Sequence, residues 1–292
     1  MRFATLEING RETVAVISED ERRYCEVQRL LPGFAGDMVD LIAAMPAGVS
    51  GLAAVEQWQP LEGARVLAPI PHPRKNIFCV GKNYHDHAKE FSQSGFDSSA
   101  AKGEFAPPVP VIFTKPLTTV VGPGDDVLSF ADVTSQLDYE IELAVVIGKA
   151  GRGISKADAM DHVWGYTIIN DVTARDLQQL HRQWFVGKSF DTFCPMGPWI
   201  VTADEVDVGN LQLRCWINDE LRQNANTSDL IFDIPTIIES MSAGMTLQPG
   251  DVIATGTPAG VGIGFKPPRF MKPGDVMKLS IDKLGTLTNR IR

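Results

Sequence analysis

Apolar and polar positions alternate from the start of the chain. Leu6-Glu7-Ile8 and Val14-Ala15-Val16-Ile17 flank Asn9-Gly10, a pattern that predicts two strands joined by a tight turn. A helical patch over residues 38–45 follows, and then Val66-Leu67-Ala68-Pro69-Ile70-Pro71, whose prolines suit a linker. The texture changes near residue 74. Short apolar runs, each bounded by Gly or Pro, recur at Ile77-Phe78-Cys79-Val80, Val111-Ile112-Phe113, 141–147, Thr167-Ile168-Ile169, Trp199-Ile200-Val201, Val252-Ile253-Ala254 and 277–281. Two stretches carry a helical pattern instead. One is 172–184, entered through Asp171, and the other is 235–243, with Asp233 at its start and Gly244 as its C-cap. Many strands and few helices predict an α+β chain that is mostly β, with a small β-rich unit over residues 1–70 and a larger unit over 74–292. No internal repeat or low-complexity tract interrupts it.

Composition narrows the class without naming a function. The 292 residues carry 36 Asp+Glu against 27 Lys+Arg, a net charge of −9, and 44% are hydrophobic, which fits a soluble globular chain. The acidic balance argues against a nucleic-acid partner. No run approaches the ~18 apolar residues of a membrane helix, because Pro46, Gly48 and Gly51 break the best candidate. The N-terminus lacks an apolar signal core, so a cytoplasmic location is expected. The four cysteines lie far apart, with no CxxC pair, as in a reduced compartment.

Several segments carry candidate chemistry. In Asp138-Tyr139-Glu140-Ile141-Glu142, strand alternation puts Glu140 and Glu142 on one face with Asp138 beside them. Carboxylates so close repel, so either that face is wet or a hard cation such as Mg²⁺ or Mn²⁺ sits there. Asp171 ends an apolar run, and Arg175 and Gln178 follow at helical spacing. Together they read as a capture site for an anionic substrate, or else as an N-cap with a surface ion pair. Gly187-Lys188-Ser189 is no phosphate loop, since Arg182 stands where that pattern needs glycine. Lys188 is then either a surface lysine or a binder of enolate or carboxylate. His87 and Glu90, three apart, form either an exposed helical pair or an imidazole oriented as a general base. Neighbouring His85 has no assigned role. Residues 91–108 read as a polar, structureless lid. Finally, Gly256-Thr257-Pro258-Ala259-Gly260-Val261-Gly262 follows a strand with no helix after it, which disfavours a dinucleotide fold.

Taken in order, Asn83-Tyr84…His87…Glu90, Asp138 to Glu142, Asn170 to Asp176, Gly187 to Asp191 and Gly256 to Gly262 resemble the fumarylacetoacetate hydrolase family over roughly residues 74–290. The N-terminal unit is similar to the small leading domain of longer bacterial members. The resemblance implies a mixed β-sandwich or β-roll catalytic fold, a homodimer and one Mg²⁺ or Mn²⁺ per subunit. Glu140, Glu142 and Asp171 would be the metal ligands and His87 with Glu90 the water-activating pair. Lys188, Arg175, Gln178 and Thr257 would hold substrate and developing charge. The implied reaction is hydrolysis of a C–C bond in a 2,4-dioxo acid, such as an acylpyruvate, fumarylpyruvate or diketo sugar acid, to pyruvate and a second acid. Oxaloacetate decarboxylation, isomerisation or tautomerisation, and sugar-acid dehydration are alternatives on the same scaffold. A non-catalytic metal-stabilised binding protein is a further one.

Overall fold

The computed structural model describes residues 1–46, 48, 49, 52, 54–95 and 105–292. Its principal elements are β1 (Arg2–Ile8), β2 (Arg11–Ile17), β3 (Arg23–Glu26), α1 (Met38–Ala44), β4 (Ile77–Gly81), α2 (His85–Ser94), β5 (Val111–Lys115), β6 (Ile141–Ile147), β7 (Val163–Asn170), α3 (Arg175–Leu180), α4 (Phe185–Lys188) and β8 (Cys194–Thr202). They continue with β9 (Gln212–Ile217), β10 (Glu220–Asn226), α5 (Ile234–Ser242), β11 (Val252–Ala254), β12 (Val276–Ile281) and β13 (Gly285–Ile291). The architecture is α+β and mostly β, as the apolar runs predict.

The long strands form one twelve-stranded sheet, whose central order is β3-β2-β1-β8-β7-β6-β11-β4-β5. Asn9 and Gly10 close the β1–β2 hairpin with φ of 52° and 75°, the positive values a two-residue turn of this kind requires. The N-terminal strands add to the sheet directly, because β1 pairs antiparallel with β8 through Phe3 and Ile200. Residues 67–70 are buried rather than strung out, and the Thr5 hydroxyl donates to the Pro69 carbonyl at 2.8 Å.

A second, five-stranded sheet contains β10-β9-β12-β13 and packs on one face of the first. Alternation along β6 makes this possible. Ile141, Leu143, Val145 and Ile147 face Leu213, Cys215, Met277 and Leu279, while Ala144 and Val146 face the opposite layer of Met38, Leu41 and Ile42 from α1. Helix α5 is capped by Asp233, whose carboxylate accepts from the Thr236 amide. All four cysteines are free and buried. Among the described residues no helix is long and apolar enough to cross a membrane.

Three local readings are corrected. Residues 172–184 are not one helix: Thr173–Ala174 pairs with Leu137–Asp138 as a two-stranded ribbon, and only then do α3 and α4 form. That pairing takes the backbone a helical first turn would need, so Asp171 caps nothing and Ala174 is the N-cap of α3. The strand expected over 138–147 is broken at Tyr139 and Glu140, because the Asn170 side chain accepts the Glu140 amide and replaces a ladder bond. Phe91 to Ser94, expected to open the lid, complete α2 instead; positions 96–104 lie outside the described residues.

Candidate active site

One end of the main sheet gathers the chemistry. β6 runs antiparallel to β7 and β11, and β11 runs parallel to β4, so the start of β6 lies beside the ends of the other three. Glu140 and Glu142 stand at the start of β6, Asp171 just past β7, Thr257 past β11 and Lys82 past β4. One ligand oxygen from each of Glu140, Glu142 and Asp171 lies within 4.8 Å of the others, and all three side chains are buried. Two hydrogen bonds hold this register: the Asp171 amide donates to the Glu140 carbonyl at 2.9 Å, and the Ile141 amide donates to the Gln223 side chain at Oε1, 3.1 Å away.

Buried cations answer the carboxylates. Lys188 Nζ donates to Glu140 Oε2 at 2.8 Å and to Asp171 Oδ2 at 2.7 Å. Lys115 Nζ takes the other oxygen, Asp171 Oδ1, at 2.6 Å. Arg175 Nε donates to Asp138 Oδ2 at 2.8 Å and Nη1 to Gln178 Oε1 at 3.1 Å. Its Nη2 lies 2.6 Å from Glu140 Oε1, a close buried ion pair. Arg175 and Lys188, which the sequence allows as either surface or site residues, are thus both inside. Among the described residues Glu142 touches no cation; its Oε2 accepts from the Gly256 amide at 2.8 Å.

These contacts set the protonation states. Burial, then the charges of Asp171 and Glu140, push the Glu142 carboxyl well above its ordinary value. Burial also opposes ionisation of Glu140, but Lys188 and Arg175 outweigh it and hold that carboxyl below its ordinary value. Lys188 is likewise disfavoured by burial, yet Asp171 and Glu140 raise its pKa and keep it an ammonium. Three hard oxygen donors converging in a buried site make a donor set that could hold a divalent cation.

His87 projects from α2 into the same pocket, its Nδ1 3.3 Å from Glu90 Oε2. Both Glu90 oxygens also accept from the Gly260 amide, at 3.1 and 3.3 Å, tying α2 to the glycine-rich loop. Gly264 leaves room for that carboxylate, because a Cβ there would collide with it. Gly256, at φ +106°, is needed for a closely packed turn, where a Cβ would lie 2.8 Å from Asn83 Cβ. Thr257 Oγ1 donates to the Ile141 carbonyl at 2.9 Å and accepts from Gln223 Nε2 at 2.8 Å. Phe91, Phe113 and Trp184 wall the pocket, with Trp184 edge-on to both phenyl rings. The cavity left between these side chains measures about 20 Å³.

The structure therefore brings His87, Glu140, Glu142, Arg175, Gln178, Lys188 and Thr257 to one pocket, with Asp171 and Glu90 in contact with its lining. Asp138, expected beside the two glutamates, is turned away. It accepts from the Gly262 and Ile263 amides and from Arg175, and so anchors the loop to the guanidinium. His85 is exposed. Sequence reading misses Lys115, whose only signal is a lysine ending an apolar strand, and Gln223, which lies in a polar stretch with no apolar alternation.

Residues 76–292 match the sequence family described as fumarylacetoacetate (FAA) hydrolase, C-terminal. Oxaloacetate tautomerase YisK of Bacillus subtilis (strain 168) is 46% identical over 310 aligned positions that cover 100% of both chains. The mitochondrial oxaloacetate tautomerase fahd2 of Xenopus laevis is 45% identical, over 77% of this chain and 68% of its own. Among solved structures, the fumarylacetoacetate hydrolase EaFAH from psychrophilic Exiguobacterium antarcticum superposes with a TM-score of 0.87 at 41% identity, covering 100% of this chain and 99% of that one. With this match, these likenesses and a pocket built from the family's ordered motifs, the chain belongs to the fumarylacetoacetate hydrolase family.

Proposed function

We propose that this chain is a divalent-metal-dependent enzyme that interconverts the keto and enol forms of a short 2-oxo acid such as oxaloacetate. The observation that carries this reading is one small pocket joining three convergent carboxylates, two buried cations and an oriented imidazole. The full-length likeness to an oxaloacetate tautomerase supports the choice of reaction.

Glu140, Glu142 and Asp171 would hold one Mg²⁺ or Mn²⁺ per subunit. When bound, the cation supplies a Lewis acid that polarises the 2-oxo group of the substrate. The protein's own groups do the rest. Arg175 and Lys188 offer positive charge where the enolate oxygen develops, in a site already desolvated. Glu90 engages His87 at Nδ1, which leaves Nε2 to take the proton from C3 and to return it. Gln178 and Thr257 position the acid, and the Phe91–Phe113–Trp184 wall excludes bulk water and strengthens each charge interaction. A homodimer in the cytoplasm is the proposed assembly. Leu180, Phe185 and Val186, exposed on α3 and α4, supply apolar surface for a second copy.

Hydrolysis of a 2,4-dioxo acid is the second reading. The His87–Glu90 pair favours it, since the same imidazole can deprotonate a water that attacks C4. Monitoring enol oxaloacetate spectroscopically, with products identified in parallel from oxaloacetate and acetylpyruvate, separates the two. Metal-dependent keto–enol exchange without carbon–carbon cleavage supports tautomerisation. Pyruvate and acetate from acetylpyruvate at higher kcat/KM would favour hydrolysis, and pyruvate with CO₂ from oxaloacetate would favour decarboxylation.

The protonation of Glu142 gives a pH test. A cation needs this carboxyl ionised, whereas burial and the charges of Asp171 and Glu140 favour its protonated form in the metal-free protein. Metal affinity should therefore rise with pH until pH passes the raised value of Glu142, with up to about one proton released per ion. Calorimetry in two buffers of different ionisation enthalpy measures that proton directly. Affinity independent of pH, with no proton release, would remove Glu142 from the ligand set.

A further inference from the structure

The glycine-rich loop peels away from the main sheet beside the carboxylates. β11 stays paired with β6 as far as Ala254 opposite Ala144, and the Thr255 amide still donates to the Leu143 carbonyl at 2.9 Å. The same register would set Thr257 opposite Ile141, but Gly256 turns the backbone at φ +106° and side chains make the bonds instead. The Ile141 amide donates to Gln223 Oε1 at 3.1 Å, and the Ile141 carbonyl accepts from Thr257 Oγ1 at 2.9 Å. Gln223 arrives from the second sheet, where it is the only buried position of β10 and has no exposed surface. The direction of each bond is fixed. An amide oxygen only accepts and an amide nitrogen only donates. With Oε1 on the Ile141 amide, Nε2 faces Thr257 Oγ1 and the Pro258 carbonyl and donates to both, at 2.8 Å each. Thr257 Oγ1 therefore receives from Gln223 and gives its own proton to Ile141. Ile141, Gln223 and Thr257 close a hydrogen-bonded ring, and Ile141 is the residue between Glu140 and Glu142.

We propose that Gln223 is a positioning residue for the carboxylate cluster: it takes the place of the strand that has peeled away and holds Glu140 and Glu142 at the spacing that captures a cation. The inference rests on the reading that these two residues and Asp171 are metal ligands. A buried amide is disfavoured unless its bonds are made, and an apolar side chain would fill the same place without that demand. All three partners of Gln223 adjoin the site. Ile141 aims both glutamates through the backbone, while Thr257 and Pro258 follow Gly256, whose amide donates to Glu142 Oε2 at 2.8 Å. The backbone here depends on such help. The Tyr139 and Glu140 amides likewise end on side-chain oxygens, those of Asp138 and Asn170, so side chains hold three consecutive amides at the cluster. Opening the ring would leave the Ile141 amide and carbonyl without partners in a buried place, and the two glutamates would lose their common direction.

The test titrates the metal-free protein with Mn²⁺ alone, read by calorimetry and by the electron paramagnetic resonance of the bound ion. Gln223→Met should weaken Mn²⁺ about 10- to 100-fold, the effect typical of removing a partner that orients a metal ligand. Thr257→Val should cause a similar loss, and Thr257→Ser, which keeps the hydroxyl, should bind as the parent does. The double variant Gln223→Met/Thr257→Val should lose little more than the worse single one, because both changes open one ring. The resonance of bound Mn²⁺ should change in the ring-opening variants and stay as in the parent in Thr257→Ser. A Gln223→Met protein that melts lower in EDTA but binds Mn²⁺ as the parent does would overturn the assignment, since a role in packing alone moves stability and not affinity. Additive losses in the double variant would overturn it too. Should Gln223→Met not fold, Thr257→Val and Thr257→Ser read the same ring from its other end, and equal Mn²⁺ affinities in these two would refute it. A parent that binds no Mn²⁺ counts instead against the functional reading, whereas a parent that binds it beside an unmoved Gln223→Met counts against Gln223 alone.

Discussion

Replacing Glu142 with Gln is expected to abolish divalent-metal binding and turnover while making the metal-free protein more stable. The two effects share one cause. Glu142 is buried beside Asp171 and Glu140, touches no cation among the described residues, and has a carboxyl pushed well above its ordinary value. A glutamine in its place would keep the shape and spare folding the cost of burying that charge beside two carboxylates or of taking up a proton to neutralise it. It would also remove one of three hard oxygen ligands. Losing an outer-shell partner of a metal typically costs 10- to 100-fold, so losing a ligand should reduce affinity and kcat/KM by at least about 100-fold. In EDTA the variant should melt higher than the parent by a few degrees, at roughly 2–4 °C per kcal/mol for a chain of this size. Metal should then raise the Tm of the parent and leave the variant unmoved. Parent-like metal affinity in the variant would show that the carboxylates serve another purpose.

Lys115→Met is expected to give the largest loss of stability. Lys115 and Asp171 are both completely buried, and the ammonium bonds Asp171 Oδ1 and the carbonyls of Val172 and Lys188. Methionine fills much of the same space but leaves Asp171 short of one of its two cations and orphans two carbonyls. Breaking a buried pair from one side costs about 3–5 kcal/mol, far more than the pair itself contributes. Chemical denaturation measures the loss directly. Because the Lys188 backbone is held by the same ammonium, metal affinity and kcat should fall together in whatever fraction folds. A variant as stable as the parent would mean that Asp171 finds another partner, and the network described for this site would be wrong.

Much of the fold is legible in the sequence because strands covered on both faces announce themselves as short apolar runs. Ile141, Leu143, Val145 and Ile147 face one layer and Ala144 and Val146 the other, so the run is apolar at nearly every position. The β9–β10 hairpin is not legible in the same way, since Arg222, Gln223 and Asn224 leave β10 with few apolar positions, although Asn218-Asp219 at its turn take positive φ values. The helix expected over 172–184 fails where a long-range partner, Leu137–Asp138, claims Thr173–Ala174. Residue-level reading of the site divides along the same line. Glu140 and Glu142 share a face by local spacing, and His87 and Glu90 meet by helical spacing. Lys115 lies 56 residues from Asp171, and Asp138 lies 124 residues from the Gly262 amide it binds, so neither role has a local signature. Asp138 shows the limit most clearly. One residue of broken strand at Tyr139 and another at Glu140 turn a third carboxylate away from the cluster and into a clamp on Arg175 and the glycine-rich loop.

On the proposed function, Glu140, Glu142 and Asp171 would hold one divalent cation against which a 2-oxo acid is activated. Anomalous diffraction from crystals of the Mn²⁺-loaded protein, collected across the manganese edge, tests it most directly. A single strong peak per subunit is expected, bounded by those three carboxylates and lost in Glu142→Gln. A peak elsewhere, or Mn²⁺-loaded crystals with none between these side chains, would contradict it.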